Sequence, residues 1–257
     1  GGGMSNVSDV QAHIINCSFS GNQAGLAGGI CNVGTGENYP VITNSIIWGN
    51  GEAFLNWGVE PTVNNSILEG GYAPCTDCPN GDGNADPLFV NQPPMGLGTG
   101  GNLRLQACSP AIDAGNDAAN STTTDVDNHP RKFEAVVGGA LVDMGAYEYQ
   151  QPAPVPTALC KNINAVLNPA GSVIVVASDI DDGSGDDTCG PVTLHINGQS
   201  SQTYSCSDLG PNTATLSVYA AQSNRTATCT ATVTVVDNTP PTITCPNPVT
   251  VTCASQV

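Results

Sequence analysis

The chain has 257 residues, enough for one to three domains with cores of their own. Five Lys and Arg stand against 22 Asp and Glu, a formal charge of -17, which repels phosphate backbones and anionic headgroups and so excludes nucleic acid and direct membrane insertion. Only 11% of residues are charged, and short β-branched runs between Gly, Pro, Asn and Asp replace any long apolar run of helical period, so the expected fold class is all-β.

Eleven cysteines in so uncharged a chain point to an oxidising compartment, hence to a secreted or cell-surface protein. The sequence shows no signal-peptide pattern and no apolar run near 18 residues, and it starts and stops within its patterns. It is expected to be a piece of something longer.

In chain order, the first 71 residues hold an internal repeat. Ile14 to Asn22 (IINCSFSGN), Ile42 to Asn50 (ITNSIIWGN) and Val63 to Gly71 (VNNSILEGG) align and place Asn16, Asn44 and Asn65 in one register. Phe19, Ile47 and Leu68 superpose too, as do Gly21, Gly49 and Gly70, and Gly1 to Asn6 matches Ala27 to Asn32. Repeats in the twenties with one short β run each predict a solenoid, here a parallel β-helix in which inward aliphatics form the core and stacked Asn satisfy turn backbone and one another. A Gly/Asn-rich loop region is the plainer alternative. Cys17 and Cys31, on neighbouring coils, are candidates for a bridge.

Cys75 and Cys78 form a C-x-x-C that lacks the second pair of a zinc site and the βαβ setting of a redox site, so it reads as a small loop disulfide. The turn after it, with Asp82, Asn84 and Asp86, either holds a calcium ion or closes on its own backbone.

The run NSIIWGN (Asn44 to Asn50), GNADPLFVN (Gly83 to Asn91), GNLRL (Gly101 to Leu105), SPAIDAGN (Ser109 to Asn116), DVDNHPR (Asp125 to Arg131) and VDMGAYEY (Val142 to Tyr149) resembles the choice-of-anchor β-helix domains of bacterial surface proteins. The resemblance covers residues 1–150 and implies a right-handed, pectin-lyase-like parallel β-helix, with architecture better defined than activity. By that resemblance Asp125, Asp127 and Asp143 belong to the closing motifs and fix the solenoid's end.

Residues 151–156 (QPAPVP) form a Pro-rich linker, and 157–237 a second unit with strands expected at 172–177, 192–196, 214–219 and 226–236. The unit is similar to immunoglobulin-like and hyalin-type repeats of bacterial, Bacteroidetes-like adhesins, and residues 238–257 look like the start of another. Its strand order favours Cys160 with Cys229 and Cys189 with Cys206, although four cysteines allow three connectivities. Cys245 is expected to bridge Cys253, and Cys108 to be left over. Asp179, Asp181, Asp182, Asp186 and Asp187 crowd one Gly/Ser loop, where calcium would relieve their repulsion and a solvated loop is the competing reading.

For catalysis the repeats offer Asp9, Glu37, Glu52, Glu60 and Glu69, none at matching positions, and no Lys or Arg up to Gly71. A lyase or glycosidase needs more than that. The expected function is therefore a non-catalytic surface or filament protein that self-associates or meets neighbouring matrix components or glycans, with Trp48 and Trp57 as candidate sugar-stacking side chains. The alternative is a β-helix that binds or cleaves carbohydrate.

Overall fold

The computed structural model describes residues 2–7, 11–35, 39–58, 60–96, 100–135, 138–186 and 189–244. Among the candidate residues, Asp9, Glu37, Asp187, Cys245 and Cys253 lie outside these, as does the end of the expected further repeat. The protein is all-β, with 3-10 turns the helical pieces among the described residues. It divides into two compact units. One comprises 1–158 with 183–193 and 218–228; the other comprises 159–182, 194–217 and 229–257.

The first unit opens with three successive turns of chain, each giving one strand to each of three sheets. The strands are β1 (Met4–Val7), β2 (His13–Ile15), β3 (Ser18–Phe19), β4 (Ile30–Val33), β5 (Val41–Thr43), β6 (Ile46–Ile47), β7 (Phe54–Trp57), β8 (Thr62–Asn64) and β9 (Ile67–Leu68), followed by β10 (Cys75–Thr76). They assemble as β1-β4-β7, β2-β5-β8-β10 and β3-β6-β9, and each neighbouring pair is parallel. Phe19, Ile47 and Leu68 fall in one register as the repeat requires. Two rungs escape the sequence alignment: Phe54–Trp57 lies on Ile30–Val33, and Cys75–Thr76 lies on Val63–Asn64.

Asn16, Asn44 and Asn65 each follow a strand of the second sheet with φ of 52°, 50° and 41°. They turn the chain in the left-handed region that Asn tolerates better than most side chains. Asp77, at φ 52°, turns the fourth rung in the same way. One residue on, a second ladder runs through the corner: the Cys17 amide donates to Ser45 Oγ (3.3 Å), the Ser45 amide to Ser66 Oγ (3.2 Å) and the Ser66 amide to Cys78 Sγ (3.4 Å).

The expected side-chain stacking of Asn occurs, but in another sheet. Asn6 Nδ2 donates to Asn32 Oδ1 (2.7 Å) and Asn32 Nδ2 to Asn56 Oδ1 (2.8 Å). The corner amides turn outward instead. Asn16 Nδ2 donates to Asn120 Oδ1, Asn44 Nδ2 to the Asn116 carbonyl and Asn65 Nδ2 to the Ala114 carbonyl, so the segment 114–120 runs along all three coils.

Alternation sorts the aliphatics onto two faces. Ile14, Ile30, Ile42, Ile47, Val63 and Leu68 make one core. Ile46 and Ile67 face the opposite way and meet Phe89, Leu105, Ala111, Ile112, Ala135 and Met144. The short third sheet is thus buried on both sides, which accounts for its unbroken Ile-Ile and Ile-Leu pairs. Strands β11 (Phe89–Asn91) and β12 (Asn102–Leu105) pair antiparallel and contribute to the second core. The expected linker is docked rather than free: Ala153 is buried and its amide donates to the Ala135 carbonyl.

The C-terminal strands are β13 (Ile163–Val166), β14 (Ser172–Val176), β15 (Val192–Ile196), β16 (Ser201–Ser205), β17 (Gly210–Ala220) and β18 (Arg225–Val236). They form sheets ordered β13-β18-β17-β15 and β14-β16. Ala214, Leu216, Val218 and Ala220 on β17, with Ala231, Val233 and Val235 on β18, are buried at every second position. That period of two made the long strands legible. Strand β13 was missed because it has only four residues, and β16 because its Ser, Gln and Thr give little apolar alternation.

Cys75 is bonded to Cys78, and Cys160 to Cys229. Cys189 is bonded to Cys108, not to Cys206, and Cys206 is a free, exposed thiol. Cys206 lies in a capped 3-10 turn that holds its sulfur toward the Gly171 carbonyl. Cys17 and Cys31 are free and do not bridge. Cys31 stacks on Ser5 and Leu55 in the first sheet, whereas Cys17 sits in the corner between the second and third sheets. Sequence proximity does not bring together residues a fraction of a coil apart.

The fully buried Asn32 amide yields a prediction. Asn32→Leu strands the Asn6 donor and the Asn56 acceptor. It should lower unfolding free energy by about 2–4 kcal/mol, each unmet buried group costing about 1–3 kcal/mol, read from urea denaturation against Asn32→Gln.

Candidate functional site

Among the residues expected to hold calcium, Asp179 and Asp186 cap backbone amides, and Asp181 and Asp182 pair through their main chain. Asp179 Oδ2 accepts the Val176 amide (2.9 Å) and Asp186 Oδ1 the Cys189 amide (3.0 Å), while the backbone of Asp181 bridges Cys160 and the Asp182 amide donates to Leu159. In the earlier turn Asp82 Oδ1 accepts the Asn84 amide, Asp86 Oδ1 the Leu88 amide and Asn84 Oδ1 the Gly70 amide. Asp82, Asp86, Asp179 and Asp186 thus close their own turns, whereas Asn84 ties its turn to Gly70.

The acidic and imidazole groups that do converge lie in the closing motifs. Single ligand atoms of Asp125, Asp127 and His129 fall within 4.8 Å of one another. Asp125 is buried and already loaded: Oδ1 accepts the Asp127 and His129 amides, and Oδ2 the Glu148 amide. Asp127 meets Arg104 in a two-pronged pair, with both N···O distances 2.7 Å, and Arg104 lies 4.9 Å above the Tyr147 ring. A divalent ion at this point would have to displace a guanidinium already matched to its carboxylate. The residues fit a locked loop better than a metal cage.

Behind this loop the closing motifs build a network of buried carboxyls. Asp143 accepts the Asp113 amide (2.7 Å) and the Tyr149 amide (2.6 Å), and Glu148 accepts those of Asp143 (3.0 Å) and Phe133 (3.2 Å). Burial, reinforced by their mutual charge, raises Glu148 to about 8; burial above all raises Asp143 to about 7. Backbone amides and the nearby Arg131 oppose both shifts without cancelling them. Arg131 is itself 2% exposed and donates from Nη2 to the Gly145 carbonyl, and its cavity of about 210 Å3 is shared with Asn16.

This network seats the end of the first unit on the coils. The Gly145 amide donates to the Asn44 carbonyl, the Ala146 amide to Ser18 Oγ and the Gly115 amide to the Val142 carbonyl. Gly145 has φ +94° and a Cβ there would lie 2.8 Å from Ser18 Oγ, so the approach requires glycine. These segments meet the coils through main-chain donors, while carboxylates accept their other amides. Sequence reasoning placed Asp125, Asp127 and Asp143 here but missed Glu148, Asp113 and Arg131. For Asp113 and Glu148 the signal was available in the same motifs, as acidic residues embedded in apolar runs; Arg131 carried no such signal.

Of the remaining candidates, Glu69 Oε2 accepts the Gly49 and Asn50 amides. Trp48 packs against the outer core, and Trp57 is 68% exposed. A cavity of about 570 Å3 is lined by Tyr39, Asn56, Gly58, Glu60 and Tyr72.

Compared with known proteins, the chain matches no family model, no curated protein and no solved structure. No helix among the described residues is long and apolar enough to cross a membrane.

The raised carboxyls favour the folded state when protonated, so their contribution is complete below about pH 4, the ordinary carboxyl range, and is lost as pH rises through about 7 to 8. Glu148→Gln should therefore flatten the fall in melting temperature between pH 5 and 9, whatever its effect on absolute stability. For calcium, 5 mM ion should leave wild-type melting unchanged. Arg104→Gln, which frees both Asp127 oxygens, should gain a calcium-dependent rise of about 2–4 °C if the ion reaches ten times its dissociation constant.

Proposed function

We propose that this chain is part of a non-catalytic, extracellular surface or filament protein, in which a right-handed parallel β-helix of the choice-of-anchor type is continued by immunoglobulin-like modules. The observation that carries this reading is the in-register stacking of Met4, Ile30 and Phe54 on one sheet and of Phe19, Ile47 and Leu68 on another, tied by side-chain ladders. Such stacking adds stiffness with every rung, because each coil satisfies the strand edge of the one before.

Disulfides at Cys75–Cys78, Cys108–Cys189 and Cys160–Cys229 support an oxidising location. The carboxylates of the closing motifs support structure rather than turnover, since backbone amides occupy them. Adhesion or matrix building is the role such a scaffold serves, through further copies of itself, neighbouring matrix proteins or glycans.

Antibody raised against the folded chain should label intact, non-permeabilised cells that produce it. The protein should release no reducing ends from neutral or acidic polysaccharides. Labelling only after permeabilisation, or appearance of reducing ends, would overturn the reading. Reduction of the three bridges should cost about 2–5 kcal/mol for each bridge that spans a long loop, read as a drop in denaturation midpoint.

A further inference from the structure

We propose that the cavity bounded by Tyr39, Asn56, Glu60 and Tyr72 is a binding site for a neutral pyranoside, the non-reducing end or an internal unit of an uncharged glycan. This rests on the adhesive reading and gives it a ligand class.

The site is built by the stack itself. Strand β7 is an edge of the first sheet, and among the described residues no fourth rung covers it. Asn56 ends the amide ladder as an acceptor from Asn32 (2.8 Å), which leaves its Nδ2 donors to the cavity. Beside it the strand ends at Gly58, where φ is +74° and a Cβ would lie 2.2 Å from the Gly34 carbonyl oxygen. The corner admits no side chain there and stays open.

Tyr72, from the start of the next coil, packs edge-on against Phe54 with ring centroids 5.5 Å apart at 88°, and its hydroxyl donates to the Pro61 carbonyl (3.3 Å). Its ring is therefore held in place before any ligand arrives. Tyr39 is 43% exposed. The cavity, about 570 Å3, falls within the roughly 300–1,000 Å3 of small-ligand sites.

These groups match the chemistry of a sugar. Pyranose rings present apolar C–H faces to aromatic rings and a rim of hydroxyls to paired donors and acceptors. Here Asn56 Nδ2 donates, the Glu60 carboxylate accepts and two tyrosine rings offer faces. Charge selects among sugars. The lining holds an acid and, among the described residues, no cation, and the sequence has no Lys or Arg before Arg104. Uronates and sialylated glycans would meet the exposed Glu60 carboxylate with no cation to pair them, a solvent-screened like-charge repulsion that disfavours acidic sugars. Glu60 is also the one carboxylate in the described lining, and glycoside cleavage needs two. The site binds and releases.

Saturation-transfer NMR and calorimetry on the whole chain provide the test, with cellotriose, mannotriose, galactobiose and trigalacturonate as probes. At least one neutral oligosaccharide should bind in the millimolar range or tighter, and trigalacturonate should not. Tyr39→Ala, on an exposed ring, should weaken binding about tenfold, the size expected for loss of one aromatic contact. Asn56→Asp keeps the acceptor for Asn32 and replaces the donor with a charged acceptor; it should weaken binding by a similar factor while melting stays within a degree or two of wild type. Tyr72→Ala should abolish binding, and Tyr72→Phe preserves it if the first variant unfolds. Absence of binding by all neutral probes, preference for trigalacturonate, or affinity unchanged in both Tyr39→Ala and Asn56→Asp would overturn the proposal. None of these outcomes bears on cell-surface labelling, so the two readings fail separately.

Discussion

The structure of the first unit depends on one constraint: every strand must find its equivalent one coil away, in register, on three sheets at once. Parallel pairing alone would permit slippage, because the backbone ladder repeats every two residues. The side chains remove that freedom. An amide ladder through Asn6, Asn32 and Asn56 fixes the first sheet, and a chain of amide-to-side-chain bonds through Cys17, Ser45, Ser66 and Cys78 fixes the corner between the other two. A shift of one residue would bury the outward side chains and break both at once.

The rest of the first unit is shaped by this stack. Once the third sheet buries Ile47 and Leu68 inward, Ile46 and Ile67 are left on the outer face and need a cover. The segments around Ala111 and Met144 supply it. They in turn bring backbone donors close to the coils without a strand edge to receive them. Asp113, Asp125, Asp143 and Glu148 act as the acceptors, in the manner of caps on a helix. Their burial moves two of them toward neutral titration because amides and Arg131 only partly offset desolvation.

Much of this was legible in the sequence, and the limits have physical causes. The corner residues Asn16, Asn44 and Asn65 were visible because a left-handed turn selects Asn, and the inward Phe19, Ile47 and Leu68 because burial selects apolar side chains. Phe54 to Trp57 escaped because its rung partner lies 24 residues back, whereas the two better-marked sheets step by 21 at that coil. Cys75 to Cys78 escaped as a rung because the last step is only 12 residues; the C-x-x-C is both the small disulfide its context suggested and a corner of the stack. The pairing of Cys189 with Cys108 depends on tertiary approach that spacing does not encode. In the acidic loop at 179–186 composition alone suggested a cation site, and it did not show that Asp179 and Asp186 each cap a backbone amide. The cavity beside Asn56 was out of reach, since it forms where a rung is missing.

Rung-to-rung steps of 28, 26, 24, 21 and 12 residues coexist with unbroken register. The corner through Asn16, Asn44 and Asn65 keeps two residues in every coil, so the variation in length falls in the other connections between strands, whose closure costs little entropy per added residue. Insertions and deletions at those connections are thus nearly decoupled from foldability. A lineage carrying this scaffold is free to diversify what it displays while the spine beneath stays the same, and recognition surfaces can turn over faster than the architecture that bears them.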